Sequence, residues 1–358
     1  MIKSTLKNIL PRSQIEKIKE MLEAVDTRIA GIAARNKALS VIYYTIYSSD
    51  FRREMQSVLI ARAAYHRSSL SDMPNRFLLR RNIHRLEKGL IMRPRRSLFG
   101  DRYIETTVNF FHNCLNTGCL SRSEYSWCMA VFTEYFSVAG GSDAIDRARE
   151  SFNAIVQNSP PQPFDPDNKP IPYPDLGPAT VSFKDFKSLC NRRHSVRWFE
   201  PRSVPKQLLE EAIGVAAMAP SACNRQPFKF YVFDEPQRAQ EIGAIPMGTA
   251  GFAHNFQVVI VVVGDLSAYP FEKDRHIIYI DCGLAVMQLQ LALETQGLGS
   301  CVINWPDIER HERQMALELK IKPYERPVML VAVGYPLAEG KVPYSAKKTV
   351  SELVVRPK

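Results

Sequence analysis

The sequence predicts a protein of mixed helix and strand whose two classes are unevenly distributed: helices alone over residues 1–158, and helices with strands over 179–358. Three observations predict this. Apolar residues recur at helical spacing through the first half. Four strand-like apolar runs punctuate the second. Between them, Ser159 to Pro178 contains eight prolines, a composition that resists both helix and sheet and favours an extended connector.

In the first half, Ile15, Ile18, Met21, Leu22, Val25, Ile29 and Ile32 form an i, i+3, i+4 stripe that predicts a helix over 13–35. Further helices are expected at about 38–48, 51–68, 74–90, 102–117, 122–138 and 142–157. In the connector, Phe164, Ile171 and Tyr173 are candidates to pin the chain to a surface. In the second half, Ser203 is a candidate N-cap for a helix that places Leu208, Leu209, Ala212, Ile213 and Ala216 on one face and ends at Pro220. FKFYVFD and FQVVIVVVGD read as strands, the latter buried rather than exposed. Asp281 stands at an N-cap position before CGLAVMQLQLALETQG, a helix apolar almost all round and therefore a core helix. SCVINW and PVMLVAVGYP supply two more strands. No GxGxxG occurs, so a Rossmann-type dinucleotide site is not expected.

The 358 residues exceed the usual range of a single domain, and 45% are hydrophobic, ample for a core. By sequence no apolar run approaches the roughly 18–20 residues that span a bilayer, and MIKSTLKNIL lacks the apolar length of a signal peptide. A cytoplasmic placement is expected. Seven cysteines without a CxxC pair argue against a disulfide framework and against a structural zinc site, so no metal is expected.

The net charge of +10 is concentrated. Arg76, Arg80, Arg81, Arg85, Lys88, Arg93, Arg95, Arg96 and Arg102 stand against only Glu87 and Asp101, an excess of seven within 76–102. Such a segment points to an anionic partner: an acidic substrate, the phosphate of a nicotinamide dinucleotide, a membrane surface or a polyanion. Aromatic stacking platforms are sparse there, which argues against nucleic acid. His84 and Glu87 share a helix face, where a hydrogen bond is favoured over a metal site. The MRPRRSLFG stretch is a candidate loop over a pocket, with Arg93, Arg95 and Arg96 meeting an anionic substrate or the phosphate of NADPH.

Two strings carry the chemistry. RRHSVRWF places Arg192, Arg193 and Arg197 around Ser195, and one helix later APSACNRQPF offers Ser221, Asn224 and Gln226 in a proline-bounded loop: guanidinium forks, a hydroxyl and loop amides that could close around one phosphate. The pair resembles the signature of the nitroreductase family of FMN-dependent oxidoreductases, and the order of elements from about Ser182 to Val355 is similar, ending in YSAKKTVSELV. That resemblance implies an α+β fold, a mostly antiparallel sheet flanked by helices, preceded here by an all-helical N-terminal domain that compact family members lack. It implies FMN as cofactor, NADH or NADPH as donor, and a site built at a homodimer interface. Arg193, Ser195, Lys347 and Lys348 would clamp the phosphate, with His194 on phosphate or ribityl. Arg197 would stand beside the N1/O2 edge of the ring as the catalytic residue, Asn224 at the pyrimidine edge with Ser221 and Gln226 in its loop, and the backbone of Val302, Ile303 and Asn304 near N5. The activity implied is reduction of a small electrophile of nitro, quinone or enone type. Two alternatives stay open: a specialised member that dehalogenates, dehydrogenates or fragments flavin, and a non-redox flavin-fold scaffold whose basic helices bind a polyanion. Phe228, where the family more often has tryptophan, bears on the substrate.

Overall fold

The computed structural model describes residues 11–70 and 74–357, so the opening MIKSTLKNIL lies outside the described residues. The chain divides into two compact units, the first ending at Gln56 and the second running from Ser57.

In the first unit, α1 (Arg12–Ala33) is followed by α2 (Lys37–Ile42), capped by Asn36 through its side chain to the Ala38 amide. A π-helical turn, Tyr43–Tyr47, holds Tyr43 Oη 2.9 Å from Asp26 Oδ1. Ile18, Met21, Leu22, Val25 and Ile32 of the predicted stripe are exposed.

The helix α3 (Arg52–Leu70) leads into the second unit. There α4 (Arg76–Leu90), α5 (Ile104–Asn116), α6 (Arg122–Val138) and α7 (Asp143–Asn158) pack around Phe111, Phe132, Tyr135, Ile83 and Leu86, each almost completely buried. Side-chain caps at Asn75, Ser121 and Ser142 start three of these helices, the second as a full capping box with Glu124. The proline-rich connector is tied down at its beginning: Phe164 packs on this helical core, while Asp165 N and Asn168 Nδ2 both donate to Ser126 Oγ at 2.8 Å. Ile171 and Tyr173 are exposed and pin nothing.

After α8 (Phe183–Arg192) and α9 (Lys206–Ala216) comes a four-stranded antiparallel sheet: β1 (Phe228–Phe233), β2 (Val258–Asp265), β3 (Gly299–Asn304) and β4 (Glu325–Gly334), in the order β1-β2-β4-β3. The predicted α+β class and all four strands are present. Alternation along β2 explains its unbroken apolar run. Val259, Val261 and Val263 face one core with α10 (Pro236–Gly243) and α12 (Glu309–Leu319), whereas Val258, Ile260 and Val262 face another with α9 and α11 (Ile277–Thr295). A strand covered on both sides has no polar face to show.

Two boundaries differ from expectation. The α9 cap position is Pro205 rather than Ser203, its fixed φ of −58° preparing the first turn. Helix α11 starts a turn before Asp281, whose carboxylate is buried inside the helix and serves another element. The stretch Glu272–Thr295 is also long and apolar enough by composition to cross a membrane; half of it is buried, as the core helix beneath the sheet. A short α13 (Val350–Leu353), with a Thr349 capping box, lies in the exposed C-terminal segment.

Candidate functional site

The first string emerges from the end of α8 and runs beside the free edge of β3. Ser195 forms a parallel bridge with Ser300, and Val196 N donates to Ser300 O at 3.0 Å. This approach requires Gly299: a β-carbon there would stand 2.8 Å from Val196 Cγ2. The following turn is held by Asn255, which accepts from Phe199 N at 2.9 Å and donates to Arg197 O at 3.0 Å. Arg193, His194, Ser195 and Arg197 are all half-buried. His194 Nδ1 lies 2.8 Å from Arg192 O, and Arg192 itself pairs with Glu294 at 2.8 Å, so it is committed to the fold. Among the described residues neither Arg193 nor Arg197 has a carboxylate partner within ion-pair distance. Burial pushes the Cys301 thiol up, while the Arg197 guanidinium and the Ser195 hydroxyl pull it back, which sets both groups against β3. Two half-buried guanidiniums and a hydroxyl on one extended segment, without acidic neighbours, form a cradle suited to a phosphoryl dianion or another delocalised anion. Val302 and Asn304 are exposed along the same strand and Ile303 is buried, so β3 presents alternate residues at this edge.

The second string forms a tight loop at a different place. Cys223, Asn224 and Gln226 adopt φ values of 53°, 51° and 49°, a left-handed region that costs non-glycine residues roughly 1–3 kcal/mol each unless the surroundings compensate. The compensation is visible. Ser221 Oγ accepts from Gln226 N at 3.0 Å, Gln226 Nε2 donates to Ala217 O at 2.8 Å, and Asp281 accepts from Ala222 N with both oxygens at 3.2 Å. Tyr269 Oη also donates to Asp281 at 3.1 Å. Burial pushes the Asp281 carboxyl up from its ordinary value, against these hydrogen bonds.

From the helical half, α4 delivers Arg80 into this loop. Its Nε donates to Asn224 O at 2.9 Å and its Nη2 to Gln226 Oε1 at 2.8 Å, while Nη1 bonds Glu124 Oε1 at 3.0 Å and the guanidinium lies 5.3 Å from the Trp127 ring centre. Glu124 also binds Arg76. The sequence marked Arg80 only as one charge in a basic run; its recognition role had no local signal, since its partners lie far along the chain. Next to it, His84 Nδ1 sits 3.0 Å from Glu87, whose other oxygen accepts from Trp127 Nε1 at 2.8 Å, the hydrogen-bonded reading of that pair. Arg76, Arg80, Arg225, Lys229 and Lys322 contribute to the wall of a cavity of about 590 Å³ beside the loop.

The two strings do not meet within one chain. Ala222 binds Asp281 near the start of α11, and Arg192 binds Glu294 near its end. The intervening helix spans about 20 Å at roughly 1.5 Å per residue. The expected closure of both strings around a single phosphate therefore needs more than one copy. Lys347 and Lys348 are exposed, and among the described residues no hydrogen bond or ion pair joins them to Arg193 or Ser195. The 91–98 stretch, with Arg93, Arg95 and Arg96, is exposed throughout.

The known proteins that this chain resembles match the half that carries both strings. The nitroreductase family model matches residues 191–248 and 234–335. An Archaeoglobus fulgidus protein, provisionally named NADH dehydrogenase/NAD(P)H nitroreductase, is 31% identical over 153 residues, covering 41% of this chain and 83% of the relative. Human iodotyrosine deiodinase 1 is 22% identical over 204 residues, 48% of this chain and 68% of the relative. Among solved structures, a nitroreductase family protein of Streptococcus pneumoniae TIGR4 is 25% identical, covering 48% of this chain and all of its own, at a TM-score of 0.42. With its two strings at the ends of one core helix and its matched residues running from Asn191 to Tyr335, the chain belongs to the nitroreductase family.

Proposed function

We propose that the protein is an FMN-dependent oxidoreductase that takes electrons from NADH or NADPH and reduces a small electrophile. The observation that carries this reading is the Arg193–Ser195–Arg197 segment: two half-buried guanidiniums and a hydroxyl, unpaired by acid among the described residues, fixed along β3 in a chain of this family. These residues fit a flavin mononucleotide. Arg193 and Ser195, with His194 beside them, would hold its phosphate end, and Arg197 would meet the edge of the ring where negative charge accumulates. Bound FMN supplies hydride transfer at N5. The chain's part is to bind and orient it: the backbone of Val302, Ile303 and Asn304 would border the ring, and the strained 221–226 loop would present Ser221, Asn224 and Gln226 to its pyrimidine side. The relatives' names support the nicotinamide donor, and a deiodinase among them keeps dehalogenation as the second reading.

The separation of the strings supports a homodimer in which one copy contributes the first string and the other the second. Ile280, Leu284 and Met287, a turn apart on the outer face of α11, are exposed and apolar, as are Tyr344, Val350 and Val355 of the C-terminal segment. That segment would lay Lys347 and Lys348 on the partner's phosphate. In this reading residues 1–158 are an accessory helical domain and 159–178 its connector, although α4 reaches the flavin loop. Seven free cysteines fit a reducing cytoplasm.

Subunit complementation tests the arrangement. Arg197→Ala and Asn224→Ala, each nearly inactive alone, are expected to regain about one quarter of parental activity when co-expressed, because half of randomly mixed two-fold dimers hold one intact site. Mixtures no more active than either variant would place both strings in one subunit's site and contradict the shared-site reading.

A further inference from the structure

Arg81 and Arg85 lie one turn apart on the same face of α4. Arg85 stacks its guanidinium 3.7 Å from the centre of the Tyr103 ring. Among the described residues Arg81 makes a single hydrogen bond, to Asn82 Oδ1 at 3.3 Å. Arg225, in the second string, is 6% exposed; it lies 4.9 Å over the Tyr269 ring, donates one bond to Ala222 O and leaves its buried Nε without a partner. Helix α4 is joined to the loop by the bond from Arg80 to Asn224 O, one residue from Arg225, which brings all three arginines to the same side of the fold. Burial, and then the charges of Arg85 and Arg225, hold Arg81 below its ordinary value, and Cys223 and Tyr65 belong to the same neighbourhood.

No carboxylate forms an ion pair with any of the three among the described residues, and the nearby acids are committed. Glu124 holds Arg76 and Arg80, Glu325 holds Lys229, and Asp281 is taken by Ala222 N and Tyr269 Oη. Among the described residues only Asp281 lies within electrostatic reach of Arg225, and its oxygens already serve the loop, so three partly desolvated cations face a single committed carboxylate; that excess is unfavourable, and the nearby phenol rings offset little of it. A fold that maintains such a group beside a strained functional loop has a place for an anion.

We propose that Arg81, Arg85 and Arg225 form a recognition site for an oxyanion, a carboxylate or phosphate carried by the small molecule that reacts beside the 221–226 loop. The site rests on the flavin reading only for what that molecule then undergoes. Guanidiniums suit either oxyanion, so its source is either an acidic substrate or the 2′-phosphate of NADPH.

Isothermal titration of the full-length protein with four probes decides this: 4-nitrobenzoate, nitrobenzene, NADPH and NADH. The parent protein is expected to bind one anionic member of a pair at least about tenfold more tightly than its partner, the effect of one or more charge-assisted bonds. Arg81→Gln with Arg85→Gln should abolish that preference, and Arg81→Lys with Arg85→Lys should keep most of it. Loss of preference for 4-nitrobenzoate assigns the site to an acidic substrate; loss of preference for NADPH assigns it to the donor's phosphate. If the glutamine pair fails to fold, Arg85→Gln alone gives the same readout from the Tyr103 side. No preference in the parent, or affinities unchanged in a folded glutamine variant, overturns the proposal. A colourless protein that still binds 4-nitrobenzoate through these arginines would refute the flavin reading and keep this one. A flavin-loaded, reducible protein without anion preference would do the reverse.

Discussion

Arg197→Ala is expected to slow flavin reduction by reduced nicotinamide about a hundredfold to a thousandfold, corresponding to roughly 2.7–4 kcal/mol for one preorganised charge partner in a closed site. Flavin retention should change far less. The structure separates these effects because Arg197 is held by its backbone, through Asn255, and its guanidinium is free of any acidic partner among the described residues. Removing the side chain leaves the turn intact, with Phe199 N still bonded to Asn255 and Ser195 still bridged to Ser300. Stopped-flow reduction under anaerobic conditions, alongside flavin stoichiometry, checks both halves of the prediction. Unaltered reduction rates would remove Arg197 from the catalytic role.

Arg80→Ala should have the largest effect on the loop. It removes all three bonds to Asn224 and Gln226 and strips one of two cations from Glu124, whose side chain is 8% exposed. Breaking a buried ion pair from one side costs roughly 3–5 kcal/mol. The lower end is expected here, since Arg76 remains on Glu124. With Asn224 and Gln226, two of the left-handed residues, deprived of this support, flavin content should fall together with the unfolding temperature. Arg80→Lys should restore the Glu124 contact but not the loop, because an ammonium lacks the planar fork that serves Asn224 O and Gln226 Oε1 at once. Stability recovered without flavin content is the pattern expected of a residue that positions the loop; recovery of both would reduce Arg80 to a structural ion pair.

The legibility of this chain varied with the range of the interactions involved. The four strands were readable because β2 and β4 are buried on both faces and their sequences are correspondingly apolar and β-branched. The helices of the first half followed from the helical spacing of apolar residues; the caps at Asn75, Ser121 and Ser142 that start three of them emerged only with the structure. Local chemistry misled at Asp281, which resembles a cap but is a buried acceptor for the Ala222 amide, and at Ser203, where Pro205 starts the helix instead. The separation of the two strings was not legible. Their adjacency in sequence conceals that α9 turns the second away from the first, so that α11 ends up between them. Arg80, Glu124 and Arg225 were equally hidden, since a run of basic residues shows charge but not which guanidinium finds an amide loop, which finds a carboxylate and which finds nothing.

Anaerobic titration of the purified protein with NADPH and NADH, followed by visible absorption, tests the central claim most directly. The account predicts a yellow protein carrying about one FMN per chain, since each two-fold dimer forms two equivalent sites, with a band that bleaches on adding one of the two donors and returns on adding a nitro or quinone acceptor. A protein that binds no FMN when reconstituted, or whose bound flavin stays oxidised with both donors, would contradict it.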